Sequence, residues 1–387
     1  MFLGQKFYKY NQTFVTLPQP NTFFCTFSAY GLWLWLGKCT FGDMKFVIDK
    51  FVPYVAEVLA PYGEVVEIDG RTFPKELLND ADGLIVRTRT RCNKDLLGGA
   101  ERLKFVGTAT IGYDHIDRPY LASSGIAFTS ATGCNSRAVL QWVAATLAHL
   151  AAKDHWTPQE RTLGVVGVGH VGSLVVEYAR SWGFEVLCSD PPREQAEGLG
   201  RAEGFVPLAE LLSRSDIVTL HTPLTHTGEW PTYHLADSNF LAQMRDGATL
   251  LNASRGEVAD SATLLANAHR LTLCIDTWEG EPDNIDPTLL EVAEIATPHI
   301  AGYSAQGKAN ASAIVINALA NSLGLERLKG WYPSDVKPSA PRPISWEAMC
   351  AQIGSHCDLI SESRRMKEHP EDFEHRRNTY PLREEFF

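Results

Sequence analysis

The sequence predicts an α/β protein of two domains, each a doubly wound parallel sheet, followed by a small C-terminal segment. Three observations carry this expectation. A glycine-rich turn, Gly167-Val168-Gly169-His170-Val171-Gly172, joins an apolar run at 162–166 to a stretch where Val171, Leu174, Val175, Tyr178 and Ala179 recur at helical spacing. Short strand and helix patterns alternate on both sides of that turn, as a parallel sheet covered by helices requires. The length of 387 residues, with 44% hydrophobic and 21% charged side chains, suffices for two ordinary globular domains and an appendage.

Residues 1–43 stand apart, being rich in Phe, Tyr, Trp and Thr. Their one apolar run, Gly31-Leu32-Trp33-Leu34-Trp35-Leu36, is too short to span a bilayer and has no small-residue cleavage site after it. The pattern changes at Met44, so the expectation is a disordered or non-native extension before a natural start at Met44. From there strands are expected at 45–49, 64–68, 83–87, 104–108 and 126–129, with helices at 53–61, 74–81, 93–97 and 117–123. A mostly apolar helix at 136–153, capped by Asn135, should cross between domains. Strands at 162–166, 184–189, 216–220, 249–253, 271–276 and 294–296, with helices at 208–214, 239–245 and 261–268, make a second sheet of the size of a dinucleotide-binding fold. A helix at 309–323 can return to the first domain. The proline-bearing stretch 331–343 is a linker, and beyond it come one helix at 346–355 and a highly charged end. A tail this small has no core of its own, so it should pack on its parent chain or on a second subunit.

The glycine turn has a chemistry. Gly167 permits a tight turn, Gly169 lets backbone approach a pyrophosphate, Gly172 lets helix and strand pack closely, and the helix N-terminus faces the anion. Asp190 ends the next strand, at about the 20-residue offset where an acid accepts hydrogen bonds from an adenosine ribose. A carboxylate there pairs with a free 2′-hydroxyl and repels a 2′-phosphate, so NAD is expected over NADP. Arg193 leaves two readings: neutralising Asp190, or a solvated loop arginine.

Ligands of open α/β sheets sit at the carboxyl ends of the strands. Three such ends carry polar residues: Asn252-Ala253-Ser254-Arg255-Gly256, Asp276-Thr277-Trp278-Glu279-Gly280-Glu281-Pro282 and Thr297-Pro298-His299-Ile300-Ala301-Gly302-Tyr303. Histidine has the intrinsic pKa to take a hydroxyl proton during hydride transfer, a carboxylate can hold its tautomer, and arginine can grip a carboxylate with two hydrogen bonds. Arg87, Arg89 and Arg91 alternate after the strand at 83–87. In an extended segment they share one face, so at least one should meet a substrate phosphate; a solvated basic edge is the competing reading. The net charge of −11 and the lack of a long basic run exclude nucleic acid and an anionic membrane as main partners. The eight cysteines form no CxxC pair or zinc-spaced cluster, so no metal is expected and the thiols are those of a cytoplasmic protein.

The motifs GVGHVG, HTPL at 221–224, NASRGEVAD at 252–260, DTWEGEP at 276–282 and TPHIAGYSAQGK at 297–308 together resemble the D-2-hydroxyacid dehydrogenase family. FVGTATIGYDHID at 105–117, SATGCNSRAV at 130–139, CSDPPR and the extra C-terminal segment are similar to the branch that oxidises 4-phospho-D-erythronate on the route to pyridoxal 5′-phosphate. The resemblance implies a flavodoxin-like substrate domain (44–135 and 299–325), a Rossmann NAD domain (136–298) and a dimerisation segment (326–387). By the same resemblance His299 is the acid/base, Glu281 its partner and Arg255 the carboxylate anchor. NAD would lie on Gly167, Gly169, His170, Val171, Gly172, Asp190, Thr222, Ala253, Ser254, Arg255, Asp276 and Gly302. Thr88, Thr110 and Tyr303 would touch a small phosphorylated 2-hydroxy acid, in a cytoplasmic homodimer that hinges near Asn135 and Thr297. Lys50-Phe51 and Tyr113 depart from the branch pattern near the substrate entrance. Two other readings stay open: a dehydrogenase of another D-2-hydroxy acid such as 3-phosphoglycerate, and a non-catalytic NAD(H)-sensing protein.

Overall fold

The structure is a computed structural model and describes residues 43–387; the expectations for the segment before Met44 otherwise lie outside the described residues. The first sheet contains β1 (Met44–Asp49), β2 (Gly63–Ile68), β3 (Gly83–Val86), β4 (Phe105–Thr108) and β5 (Ala127–Ser130), all parallel, in the order β2-β1-β3-β4-β5. That is the flavodoxin-like order. Alternate residues of these strands serve opposite faces, as the two-residue period dictates. Val47, Leu84, Val86 and Val106 pack with Leu97 of α2 (Lys94–Leu97) and Leu121 of α3 (Arg118–Ser123). Phe46, Ile48, Ile85 and Phe105 pack the other face, against α1 (Val55–Leu59) and a helix from much later in the chain.

Between the sheets runs α4 (Ser136–Asp154), buried on most sides. Asn135 does not cap it; its side chain lies instead where a Cβ on Gly302 would sit. The second sheet contains β6 (Thr162–Val166), β7 (Glu185–Ser189), β8 (Ile217–Leu220), β9 (Thr249–Asn252), β10 (Thr272–Ile275) and β11 (Ile295–Ala296), in the parallel order β11-β10-β9-β8-β6-β7. Phe205 adds a parallel bridge to Cys188 outside β7, a vestigial third strand of the Rossmann order. The order in which strands are added therefore reverses between β6 and β8, and the crevice there is the expected ligand site. Its connecting helices are α5 (His170–Trp182), α6 (Pro191–Glu197), α7 (Leu208–Arg214), α8 (Ser238–Gln243), α9 (Ser261–Asn267) and α10 (Pro287–Val292).

The returning helix is α11 (Ala305–Leu323), which begins earlier than the pattern predicts because Ser304 caps it through the Gly307 amide. Val315, Ile316 and Leu319 of α11 complete the second face of the first sheet. The tail forms three helices rather than one: α12 (Trp346–His356), α13 (Leu359–Glu368) and α14 (Phe373–Thr379). The expected helix at 74–81 is only a 3₁₀ turn, Lys75–Leu78.

Candidate active site

The glycine turn is built as its residues require. Gly167 has φ +83°, and a Cβ there would strike the His221 carbonyl carbon and the Thr222 amide of the adjacent strand end. A Cβ on Gly172 would come within 2.1 Å of the Gly167 carbonyl oxygen, so helix and strand touch through bare backbone. A Cβ on Gly169 meets nothing, and Gly169 and His170 are exposed at the start of α5 with Val171 behind them. The His170 ring leans on Gly133 in the turn before α4. Asp190 ends β7 and accepts from the Val168 amide at 2.7 Å and the Arg193 amide at 3.1 Å. Arg193 is no solvated loop residue: on α6, it donates to the Val168 carbonyl at 2.6 Å and the Ser173 hydroxyl at 3.1 Å, bracing the turn. The Thr222 hydroxyl oxygen is buried without a partner. An open helix N-terminus, an acid at the next strand end and an unsatisfied hydroxyl between them fit a dinucleotide.

The catalytic candidates meet at the ends of β9, β10 and β11. Asn252 Oδ1 accepts from the Ser254 amide and hydroxyl, and Asn252 Nδ2 donates to the Arg255 carbonyl, fixing the loop that follows Ala253. The Arg255 side chain crosses to the first domain, where it lies against Gly112 with Nε 3.8 Å from Asp114 Oδ2. Thr110 donates to the Gly112 carbonyl at 3.0 Å in that same loop. Asp276, fully buried, accepts from the Thr297 hydroxyl and from the amides of Ile300 and Ala301. Its three bonds bind the loop around His299, and burial raises its carboxyl above the usual range.

His299 occupies left-handed backbone, φ +54°, a conformation costing about 1–3 kcal/mol in a non-glycine residue. Its amide is held by the Asp276 and Thr297 carbonyls. The ring bonds through Nδ1 to Glu281 Oε1, while Glu281 Oε2 accepts from the Trp278 amide at 3.0 Å. Burial raises the Glu281 carboxyl, but His299 and then Arg377 outweigh it and leave the group below its ordinary value. With Nδ1 engaged, Nε2 is the nitrogen left to exchange a proton with a ligand.

Around Tyr303 the site becomes cationic. The Arg377 Nε donates to the Tyr303 hydroxyl at 3.2 Å, Arg377 Nη1 lies 3.7 Å from Glu281 Oε1, and Lys308 Nζ sits 4.5 Å from the ring centre. Burial raises the Tyr303 phenol, yet Arg377, Lys308 and Arg87 reverse the shift and lower it. Arg87, Arg89 and Arg91 do not share a face, because the chain turns at 87–90, closed by the Thr90 amide on the Arg87 carbonyl. Arg87 turns to Phe51 and Tyr303, Arg89 to α14, and Arg91 is exposed. Thr88 lines a cavity with Arg89 and Arg377. Elsewhere His234, Asp260 and Glu279 lie within 4.8 Å of one another, with Glu279 bonded to His234 and to the Ser261 amide, which ties two loops together.

Residues 136–301 match the family model described as D-isomer specific 2-hydroxyacid dehydrogenase, NAD binding domain. The chain is 41% identical over 350 residues to an erythronate-4-phosphate dehydrogenase of Bacteroides fragilis, covering 88% of this chain and 97% of that protein. The chain belongs to the erythronate-4-phosphate dehydrogenase family. A relative of the same name from Salmonella paratyphi B is 42% identical over 287 residues, 73% of this chain and 75% of its own. Among solved structures, D-lactate dehydrogenase from Aquifex aeolicus complexed with NAD and lactic acid aligns at TM-score 0.60 with 27% identity, over 76% of this chain and all of that one. Family membership makes residues 136–301 an NAD-binding domain. Sequence reasoning had no signal for Arg377, brought beside Glu281 and Tyr303 by the folded tail, or for Arg71, which lines the Thr88 cavity from the turn after β2.

Proposed function

We infer that the protein oxidises 4-phospho-D-erythronate at C2 with NAD, giving (R)-3-hydroxy-2-oxo-4-phosphooxybutanoate for vitamin B6 biosynthesis. The observation that carries this reading is the Glu281–His299 pair, with the cationic cluster at Tyr303 beside it through Arg377. NAD when bound supplies the hydride acceptor. Arg255 and the backbone around Gly112 hold the C1 carboxylate, opposite His299. Neutral His299 takes the C2 hydroxyl proton on Nε2, and Glu281 steadies the imidazolium through Nδ1 without itself being protonated. The C2–H bonding pair leaves as hydride, the C2–O bond becomes a carbonyl, and the chain's basic residues hold the phosphate end. Thr88, Thr110 and Tyr303 would line that path, and Gly167–Gly172, Asp190, Thr222, Ala253–Arg255, Asp276 and Gly302 would hold the cofactor.

The formed catalytic pair favours turnover over a purely sensing role. This reading includes a homodimer working in the cytoplasm; among the described residues no helix is long and apolar enough to cross a membrane. NADH formation from 4-phospho-D-erythronate, run beside 3-phosphoglycerate and lactate, tests it. Preferential use of the erythronate, reduced about 10²- to 10⁴-fold in His299→Ala, is the expected result. Equal or better use of another acid would replace the substrate, and NAD binding without any turnover would replace the enzyme.

A further inference from the structure

Four guanidinium groups converge beside the catalytic pair, from three separate stretches of chain. Arg71 follows β2, Arg87 and Arg89 lie in the turn after β3, and Arg377 comes from α14. Arg71, Thr88, Arg89, Pro282, Asp283 and Arg377 line a cavity of about 360 Å³, in which Pro282 directly follows the catalytic Glu281. Burial, and then repulsion from Arg71, Arg87 and Arg377, holds Arg89 below its usual pKa. Such a cluster calls for an anion at its centre.

The carboxylate that faces Arg71 and Arg89 belongs to the protein itself. Glu374 Oε1, on α14, accepts from Nη2 of both arginines. One oxygen shared between two guanidinium forks leaves most of their donors unused, whereas a phosphate dianion offers three acceptor oxygens and a second charge. Glu374 and Arg377 stand three residues apart on α14, on one face of the helix. The same face thus carries a cation pointing to the catalytic pair and an anion pointing to the arginines of the first domain.

We propose that this pocket is the substrate's phosphate site, with Arg71, Arg89 and Arg377 as ligands and Glu374 as an internal occupant that the phosphate displaces. The inference rests on the substrate reading above and adds that the C-terminal segment takes part in recognition. Arg377 sets the distance: it touches the Tyr303 and Glu281 end of the site and the phosphate cavity at once. An acid lacking the terminal phosphate leaves Glu374 in place and gains nothing from the cluster.

The test compares kcat/KM for 4-phospho-D-erythronate and for D-erythronate in wild type, Arg377→Ala and Glu374→Gln, alongside calorimetric titration of inorganic phosphate into the NAD-loaded full-length protein. In Arg377→Ala the preference for the phosphorylated acid should fall about 100-fold, the loss expected for a charge-assisted contact, and phosphate binding should weaken. Glu374→Gln should move both in the opposite direction, a sign that damage to the fold does not produce. Equal losses on both acids in Arg377→Ala with phosphate binding intact, or weaker phosphate binding in Glu374→Gln, overturn the proposal. Wild type that binds no phosphate overturns it as well. If neither acid turns over while phosphate binds in an Arg377-dependent way, the pocket stands and the substrate reading falls.

Discussion

Glu281 is held by the Trp278 amide on one oxygen and by His299 on the other, so the ring is oriented by a group that cannot itself rotate. Other histidines in the fold do the opposite work by staying uncharged. Burial pushes the His221 imidazole down to about 3 and that of His115 down to about 4. His221 ends β8 against the glycine turn, where its Nε2 meets the Thr219 hydroxyl at 2.9 Å. Because its folded pKa lies below the unfolded value of about 6.5, its contribution to stability is complete above that value and is lost as pH falls toward about 3. Urea unfolding between pH 7 and pH 4 should therefore show a shallower acid loss in His221→Gln than in wild type, by up to about 1.4 kcal/mol per pH unit. Parallel profiles would mean that His221 titrates alike in both states.

At the turn between β6 and α5, two glycines do different jobs, and alanine should separate them. Gly172→Ala puts a methyl within 2.1 Å of a backbone oxygen that no side-chain rotation can move. It should cost about 1–3 kcal/mol and weaken NAD binding as well. Gly169→Ala meets no protein atom, so its melting temperature should stay near wild type while NAD affinity falls if, as proposed, the pyrophosphate comes to this turn. Thermal melts and NAD titrations of the two variants check this; a Gly169→Ala protein with unchanged affinity would remove Gly169 from the cofactor site. This element was legible in the sequence because strand, glycines, helix and Asp190 are contiguous. Elements whose partner is remote were not. In α13 only Leu359, Ser363 and Met366 are buried, since the helix lies against the short edge strand β11 and its Ser363 hydroxyl takes the Ala296 amide. Such a narrow apolar stripe among charged residues reads as a solvated tail. Arg377 was illegible for the same reason: its role comes from a contact with Tyr303, 74 residues away in sequence.

The tail is part of the parent molecule's core. Trp346 stacks on Trp156 and meets Trp182 and Phe184, while Phe387 packs on Tyr178 and Trp182. Removing everything after Trp331 would expose this aromatic cluster, so the truncated chain should aggregate rather than sediment as a clean monomer. The expected homodimer is better tested by sedimentation of the intact protein, with Ile360 and Leu382, both exposed on the tail, as surface positions to vary. A single residue tests the link between tail and chemistry. Arg383 is buried, and its guanidinium donates to the carbonyls of Ala138 at the start of α4 and of Ile300 and Ala301 beside His299. Arg383→Ala leaves the Ala301 carbonyl without a partner, while Ile300 keeps the Tyr303 amide and Ala138 its place in the α4 ladder, and it frees the loop that carries His299. The expected loss is about 1–3 kcal/mol of stability, the cost of one buried group left unsatisfied. The same change should lower kcat about 10- to 100-fold below the melting transition, because an ångström of misplacement at the reacting group has that effect. Thermal unfolding and initial rates on one preparation measure both. A variant that loses stability but keeps its kcat would show that the tail supports the fold without positioning His299, leaving that loop to Asp276 and to the Trp142 and Trp278 indoles.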